Sequence, residues 1–475
     1  MASKVPEERR INVYVRWRPL AASETEPCQI DSKRTSERSL LSVSIKEGSA
    51  TDREWTSAPS FDGVLDAEAD NLAAYRLVVA DAIPNVMQGG TFSVFAYGHS
   101  GSGKTHTIFG YDFDNDDNQL GLALAAARAL FEALEPLNQQ HVLAGCNDAD
   151  ADEPPAVLGV AFSLFELRKK TALDLLNNNG TACHIREGAD GRTHIRGETE
   201  VLEGGKVRVC PIVQRPCWTF ASLREELVRA LGRRAVGSST VHDQSSRTHA
   251  VLEFEVVSRP LDDARRALYD RQSELVPVGK RAADVTIEEQ SKAFVRGRGG
   301  TGWLPNPDYR VDQARIDAAE AEKAELEARV AAAEADVERV LRSGRVVSPC
   351  LAAKMVFVDL AGAEYHRDRG SVVSLQQQTP QEQQEGRQIN ADLSALKEVI
   401  RAVAADKARI PFRSSALTMV LREHFRPPRG AEGGSSSSSS SSAAAAAMIV
   451  TVSPAREQYA ATLNSLKYGS LVGAV

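Results

Sequence analysis

The segment Gly98, His99, Ser100, Gly101, Ser102, Gly103, Lys104, Thr105 matches GxxxxGK[ST], the spacing that cradles a phosphate chain. Its glycines let successive backbone N–H groups turn inward where side chains would obstruct them. Lys104 brings a positive charge to the β- and γ-phosphates, and the Thr105 hydroxyl suits a Mg²⁺ coordination position. The β-branched and aromatic run at 91–97 directly precedes the motif, which is the strand-then-loop context it needs. A second element, Lys-Met-Val-Phe-Val-Asp-Leu-Ala-Gly-Ala-Glu at 354–364, delivers Asp359 at the end of an apolar strand and Gly362 just beyond it. Asp359 is placed to hold Mg²⁺ through water, and the Gly362 N–H to bond a terminal phosphate. An aspartate at a strand end is commonly a helix cap, so this element gains its meaning from the phosphate loop upstream.

The elements that must position these residues alternate along the chain. Strands are expected at 11–16, 91–97, 156–166, 249–257, 354–360 and 448–452. Helices are expected at 71–87, 120–137, 222–230 and 385–404. Such interleaving predicts an α/β fold, a central and mostly parallel twisted sheet with helices on both faces. Three stretches fall outside the pattern. Residues 147–155 are acidic and read as a solvated loop, and the Ser/Ala tract at 430–447 as a low-complexity surface loop. The third, 259–347, is an insertion with an irregular first half and a helical second half. There Leu326, Val330, Ala333, Val337 and Val340 follow the 4-3-4-3 spacing of a short seam. A seam this short is marginal as an autonomous coiled coil, so a solvated helix or a local hairpin is expected.

The whole chain, 475 residues at 42% hydrophobic and 25% charged, carries 57 Lys+Arg against 64 Asp+Glu. Its net charge of −7 argues against a surface that is one nucleic-acid footprint, while leaving room for a local basic face. No run approaches the roughly 18 uninterrupted apolar residues of a membrane span. The polar N-terminus lacks a secretory apolar stretch. Cysteines 28, 146, 183, 210, 217 and 350 have no metal-ligand spacing and read as free thiols, which predicts a cytoplasmic protein.

A third element carries a family resemblance. His242-Asp-Gln-Ser245-Ser246-Arg247-Thr248-His249 resembles the NxxSSRSH switch I of kinesins. It occurs with Val15–Pro19 as VRxRP, YGxxGSGKTHT at the phosphate loop and DLAGxE at 359–364, all in kinesin order. The likeness continues through 385–403, 410–425 and 450–469, so the sequence resembles a kinesin motor domain over roughly 9–258 and 350–470, essentially a complete motor core. The resemblance implies an ATPase of the P-loop kinesin fold that uses ATP and Mg²⁺ and binds microtubules. Arg16, Arg18, Pro19 and His106 would border the adenine. Thr105, Ser246 and Asp359 would serve the metal, and Ser245 would lie near the attacking water. Arg247 and Glu364 would pair to close the site on the γ-phosphate; Glu364 is either the end-point for the water's proton or a conformational latch.

The same resemblance places Lys397, Arg401, Lys407, Arg409 and Arg413 on the microtubule face. Residues 397–429 hold eight basic and three acidic side chains, a local +5 that suits an acidic filament. Departures run the other way: Ala391 and Asp392 stand where the family has Lys-Ser, and Ala416 where it has lysine, which predicts a weaker track affinity. His242 and Ala363 replace the family's asparagine and serine without removing a metal ligand. Some wording, such as Ala395–Arg401, is closer to the microtubule-depolymerising class, although the loop that marks that class is missing between the first strand and the phosphate loop. A depolymerase or a weakly cycling structural microtubule-binding protein therefore stands beside the motor reading, and cargo, direction and oligomeric state stay open. No neck, stalk or long dimerising coiled coil is read in the sequence.

Overall fold

In a computed structural model of the chain, the residues described are 11–22, 24, 27–34, 40–48, 53–111, 119–147, 157–177, 182–188, 193–201, 207–236, 247–296, 303–363, 380–405, 407–425 and 446–474. They divide into two compact units. One comprises residues 1–195, 212–257 and 349–475, the other 196–211 and 258–348.

The first unit is built on one large sheet. Within this unit its strands include, in order, Ala182–Glu187, Thr171–Asp174, Leu158–Arg168, His249–Ser258, Lys354–Asp359, Thr91–Tyr97, Ala446–Val452, Ile11–Trp17 and Gly63–Leu65. The sheet is mixed. Pairing is parallel among Lys354–Asp359, Thr91–Tyr97, Ala446–Val452, Ile11–Trp17 and Gly63–Leu65. It is antiparallel where His249–Ser258 meets Lys354–Asp359 and on the side of Leu158–Arg168. The parallel strands are buried along almost their whole length, as strands covered on both faces must be. Their side chains alternate between the faces. Val13, Val15, Phe95, Tyr97, Val356, Val358, Met448 and Val450 share one core with Ile389, Leu393, Leu396, Val403 and Leu466 of the helices Pro380–Ala404 and Tyr459–Gly473. The opposite face meets other helices, among them Leu122–Asn147, which buries Leu122, Leu124, Leu130 and Leu134.

The second unit contains two long helices, Arg259–Lys292 and Gln313–Val347, packed against each other and joined through the hairpin Phe294–Arg296/Trp303–Pro305. The expected irregular first half of the insertion is instead a 34-residue helix. Ser258 caps it by accepting from the Leu261 N–H, and Pro260 sits in the first turn, where its missing donor costs nothing. Leu261, Ala264, Val278 and Ala282 supply its buried side. In the partner helix, Leu326, Val330, Ala333, Val337 and Val340 are each half-buried, the first four between exposed neighbours. The carboxylate of Glu289, 2% exposed, fastens the far end: it accepts from Tyr309, from Asp312 N–H at 3.1 Å and from Arg315 at 2.7 Å.

Two boundaries shift from expectation. The strand expected at 448–452 begins at Ala446, so the last two residues of the Ser/Ala tract pair with their neighbours; the rest of the tract lies outside the described residues. The acidic stretch loses Asn147 to the end of the Leu122–Asn147 helix.

Candidate functional site

The phosphate loop follows the strand Thr91–Tyr97 and runs into the short helix Lys104–Ile108. Gly101 and Gly103 hold φ of 73° and 97°, which side chains would resist. The Lys104 ammonium, 6% exposed, donates to the carbonyls of Gly98 (3.1 Å) and His99 (2.8 Å). Burial pushes it down to about 8, with nearby Asp359 opposing that shift. A phosphate in the loop replaces two neutral carbonyls with a full negative charge, so nucleotide has a clear advantage at this ammonium.

Asp359 ends the strand adjacent to the phosphate-loop strand, in register with Ala96. That register brings its Oδ2 within 2.8 Å of the Thr105 hydroxyl, which donates to it. The other oxygen, Oδ1, is buried without a hydrogen-bond partner among the described residues. An orphaned carboxylate oxygen beside a phosphate-loop hydroxyl fits a hard cation, which prefers oxygen ligands. Thr105 and Asp359 therefore fit Mg²⁺. Past Asp359, the Ala363 N–H donates to Gly98 O at 3.1 Å, and a Cβ on Gly362 would lie 2.8 Å from Ser100 N. The described part of the DLAGxE segment, the family's switch II, thus lies directly against the phosphate loop.

One side chain in this cluster has no counterpart in the sequence reading. Arg234, from the helix Phe220–Val236, is 5% exposed and donates from Nη1 to Asp359 Oδ2 (2.8 Å) and from Nε to Glu166 Oε1 (2.8 Å). The Thr248 hydroxyl donates to the same Glu166 oxygen at 2.8 Å. Burial alone would lower the guanidinium, but Asp359 and Glu166 outweigh it and raise it. Lys104 and Arg234 thereby balance Asp359 and Glu166 in one buried group. The available signals were a lone acid ending the apolar run at 156–166 and two arginines closing an amphipathic helix. Tyr111 was also passed over. Its ring lies 5.6 Å from His106, and it is 62% exposed at the mouth of the loop.

The expected adenine residues separate. His106 is half-buried, Pro19 is exposed, and the Arg18 Cβ lies near Gly103. Arg18 is committed to an ion pair with Glu24. Arg16 is turned inward, 7% exposed, and donates to Asn71 (2.6 Å), Thr107 (3.0 Å) and Ala69 O (3.2 Å). It braces the phosphate-loop helix and presents little to a base. Within the loop, Ser100 and Gly101 are exposed. The Ser102 hydroxyl meets Thr451 at 2.8 Å. The His99 ring is buried between Ser100 O and Thr462, with burial holding it down to about 4. Arg247 is half-buried just before His249, while Ser245, Ser246, Glu364 and His242 lie outside the described residues.

The basic face is uneven. Lys407 and Arg409 are exposed. Arg413, 78% exposed, donates to Glu187 at 2.7 Å, and Arg422 donates to the other oxygen of Glu187 at 2.9 Å. Lys397 lies 5.6 Å over the Tyr468 ring, and Arg401 pairs with Glu398 at 3.0 Å. Asp392, expected to repel an acidic filament, is 4% exposed and faces the core; the helix turns it inward beside Leu393 and Leu396.

These features can be set beside known proteins. A model of the kinesin motor domain matches residues 16–278 and 333–475, most of the chain. The chain belongs to the kinesin motor-domain family. Apart from residues 1–15, the unmatched residues of this kinesin, 279–332, fall inside the long insertion. It is similar to Kinesin-like protein KIF22 of Mus musculus, 28% identical over 254 residues, covering 54% of this chain and 33% of that protein. The same protein of Rattus norvegicus is 27% identical over 257 residues, with the same coverage. The chain therefore spans about a third of the length of these curated relatives. Among solved structures, the motor domain of the Kar3-like kinesin from Ashbya gossypii superposes with a TM-score of 0.56 at 18% identity, covering 98% of this chain and 99% of that one. A kinesin motor ATPase solved as activation-pathway mutants gives 0.55 at 17% identity, with 98% coverage of each chain. Both show the kinesin fold. Kinesin motor domains are nucleotide-binding ATPases associated with the microtubule cytoskeleton.

Proposed function

We propose that this kinesin domain hydrolyses ATP and couples the hydrolysis to microtubule binding and microtubule-based movement, in the cytoplasm. The observation that carries the reading is the hydrogen bond from Thr105, on the helix that follows the phosphate loop, to Asp359, at the end of the strand beside the one that leads into the loop, next to a buried lysine seated on the loop. Phosphoryl transfer needs little covalent help from protein; it needs charge neutralised and a water held in line. Lys104 meets the β- and γ-phosphates, and the Gly362 N–H meets the γ-phosphate. Ser245 orients the water, and Arg247 with Glu364 closes the site. Thr105, Ser246 and Asp359 would hold Mg²⁺, which supplies charge neutralisation on the phosphates when bound. Arg234 aims Asp359, because its two donors fix the carboxylate against Glu166. Lys407, Arg409 and Arg413 support attraction to an acidic filament, with Lys397 and Arg401 beside them.

The test is steady-state ATPase of the chain with and without stabilised microtubules, alongside Lys104→Ala and Glu364→Ala. Stimulation of about tenfold or more, abolished in both variants, is the expected result. Binding of ATP with turnover indifferent to microtubules would overturn it. Gliding and filament-shrinkage assays then separate movement from depolymerisation.

A further inference from the structure

The helix Pro380–Ala404 carries one carboxylate into the core. Its buried face runs Ile389, Leu393, Leu396, Val399, Ile400 and Val403, and Asp392 sits among them at 4% exposure. A buried charge in an apolar face is costly unless it has a partner. One oxygen, Oδ1, accepts from Gln388 Nε2 at 3.0 Å. The other, Oδ2, faces the ring of His249 at 3.9 Å from Nε2. That nitrogen is buried and has no hydrogen-bond partner among the described residues.

The opposite side of the same ring is occupied. His249 Nδ1 accepts from the backbone N–H of Ala361 at 3.0 Å, two residues past Asp359. Burial, with Lys104 and Arg234 nearby, holds the imidazole down to about 3, so it is neutral at physiological pH. A neutral imidazole carries one proton. With Nδ1 accepting, that proton is on Nε2 and points at Asp392. Burial raises the Asp392 carboxyl to about 6, which leaves it mostly ionised and able to accept at neutral pH. The gap of 3.9 Å exceeds an N–H···O bond by about 1 Å. This is the scale of helix shift that packed interfaces convert into discrete states.

We propose that Asp392 and His249 form a latch: its closure by about 1 Å hydrogen-bonds the Pro380–Ala404 helix, through the ring, to the Ala361 N–H of switch II. Loss or gain of phosphate contacts at Gly362 moves that backbone, and the ring passes the movement to the helix at one fixed point. Both residues are positioning residues, for neither touches the nucleotide. A serine at 392, the residue in the kinesin wording, is too short to span the same gap. The inference rests on the microtubule-coupled ATPase proposed above.

The experiment compares Asp392→Ala, which removes the acceptor, with Asp392→Asn, which keeps an oxygen at the same reach. Asp392→Ala is expected to lower microtubule-stimulated kcat about fivefold or more, with basal turnover and the KM for ATP within about twofold. Asp392→Asn is expected to retain at least about half of the stimulated rate. Adding His249→Ala to Asp392→Ala should cost no more than His249→Ala alone. An Asp392→Ala protein that matches wild type, one that loses basal and stimulated rates together, or an Asn variant as impaired as the Ala variant overturns the latch. If wild type itself shows no stimulation, the proposed function fails separately. The latch is then decided by ¹⁵N-histidine NMR of the chain in ADP against ADP with aluminium fluoride. A His249 ring signal that moves in wild type and stays fixed in Asp392→Ala sustains it; a signal that responds alike in both removes it.

Discussion

Arg234 links two buried carboxylates that otherwise face each other across the floor of the nucleotide site. Truncating it leaves Asp359 and Glu166 buried without their cation, which costs about 3–5 kcal/mol of stability. Urea unfolding of Arg234→Ala should show that loss, and ATPase should fall by roughly two orders of magnitude as Asp359 loses its aim. Arg234→Lys should recover little of either, because Nε and Nη1 serve different carboxylates and an ammonium lacks the fork. Gly362 gives a second prediction. A methyl there meets the Ser100 backbone at 2.8–2.9 Å, so Gly362→Ala must displace the phosphate loop, lowering kcat/KM for ATP by up to about a hundredfold. The two sites also mark what was legible. Gly98 to Thr105 are contiguous, and their spacing alone states the chemistry. Glu166, Arg234, Thr248 and Asp359 lie on separate elements, and no local pattern joins them before the sheet forms.

At the scale of elements, the strand Ala182–Glu187 ends in an acid that occupies two arginines of the basic face. Arg413 and Arg422 hold the Glu187 carboxyl down to about 2, so it stays ionised in any ordinary assay. Glu187→Gln should free both cations and lower the KM for microtubules by about two- to fivefold in low salt, with the gain shrinking near physiological ionic strength. A titration of ATPase against microtubules at two salt concentrations measures this. Sequence counting gave the net charge of the segment correctly but not its availability, because Glu187 lies more than two hundred residues upstream. Asp392 shows the converse. Counted as a surface acid, it is an inward one, since 392 falls on the same helical face as 389, 393 and 396. The Arg259–Lys292 helix was missed because the glycines and prolines near 297–307 coloured the whole half-insertion. They in fact follow the helix, and the capping serine and first-turn proline mark its true start.

On the scale of the whole molecule, the insertion leaves and re-enters the first unit through two adjacent antiparallel strands. Glu255 pairs with Lys354, and such strands lie about 4.8 Å apart, a gap that a short turn spans. Replacing 259–347 with a four-residue turn should therefore preserve a cooperative unfolding transition, with basal ATPase within about twofold; calorimetry and the steady-state assay check both. The fold class was legible because strand and helix periods alternate through the core, and the mixed sheet was not, because pairing direction leaves little trace in composition. The hairpin of long helices also bears on how quickly the chain assembles. Its contacts are between neighbouring segments, and helices form on the microsecond scale, well before distant strands meet. Once zipped, the hairpin delivers Ser258 and Ser348 to one place, and the excursion between them counts kinetically as a tight turn. The strands His249–Ser258 and Lys354–Asp359 can then find their register almost as fast as if nothing had been inserted.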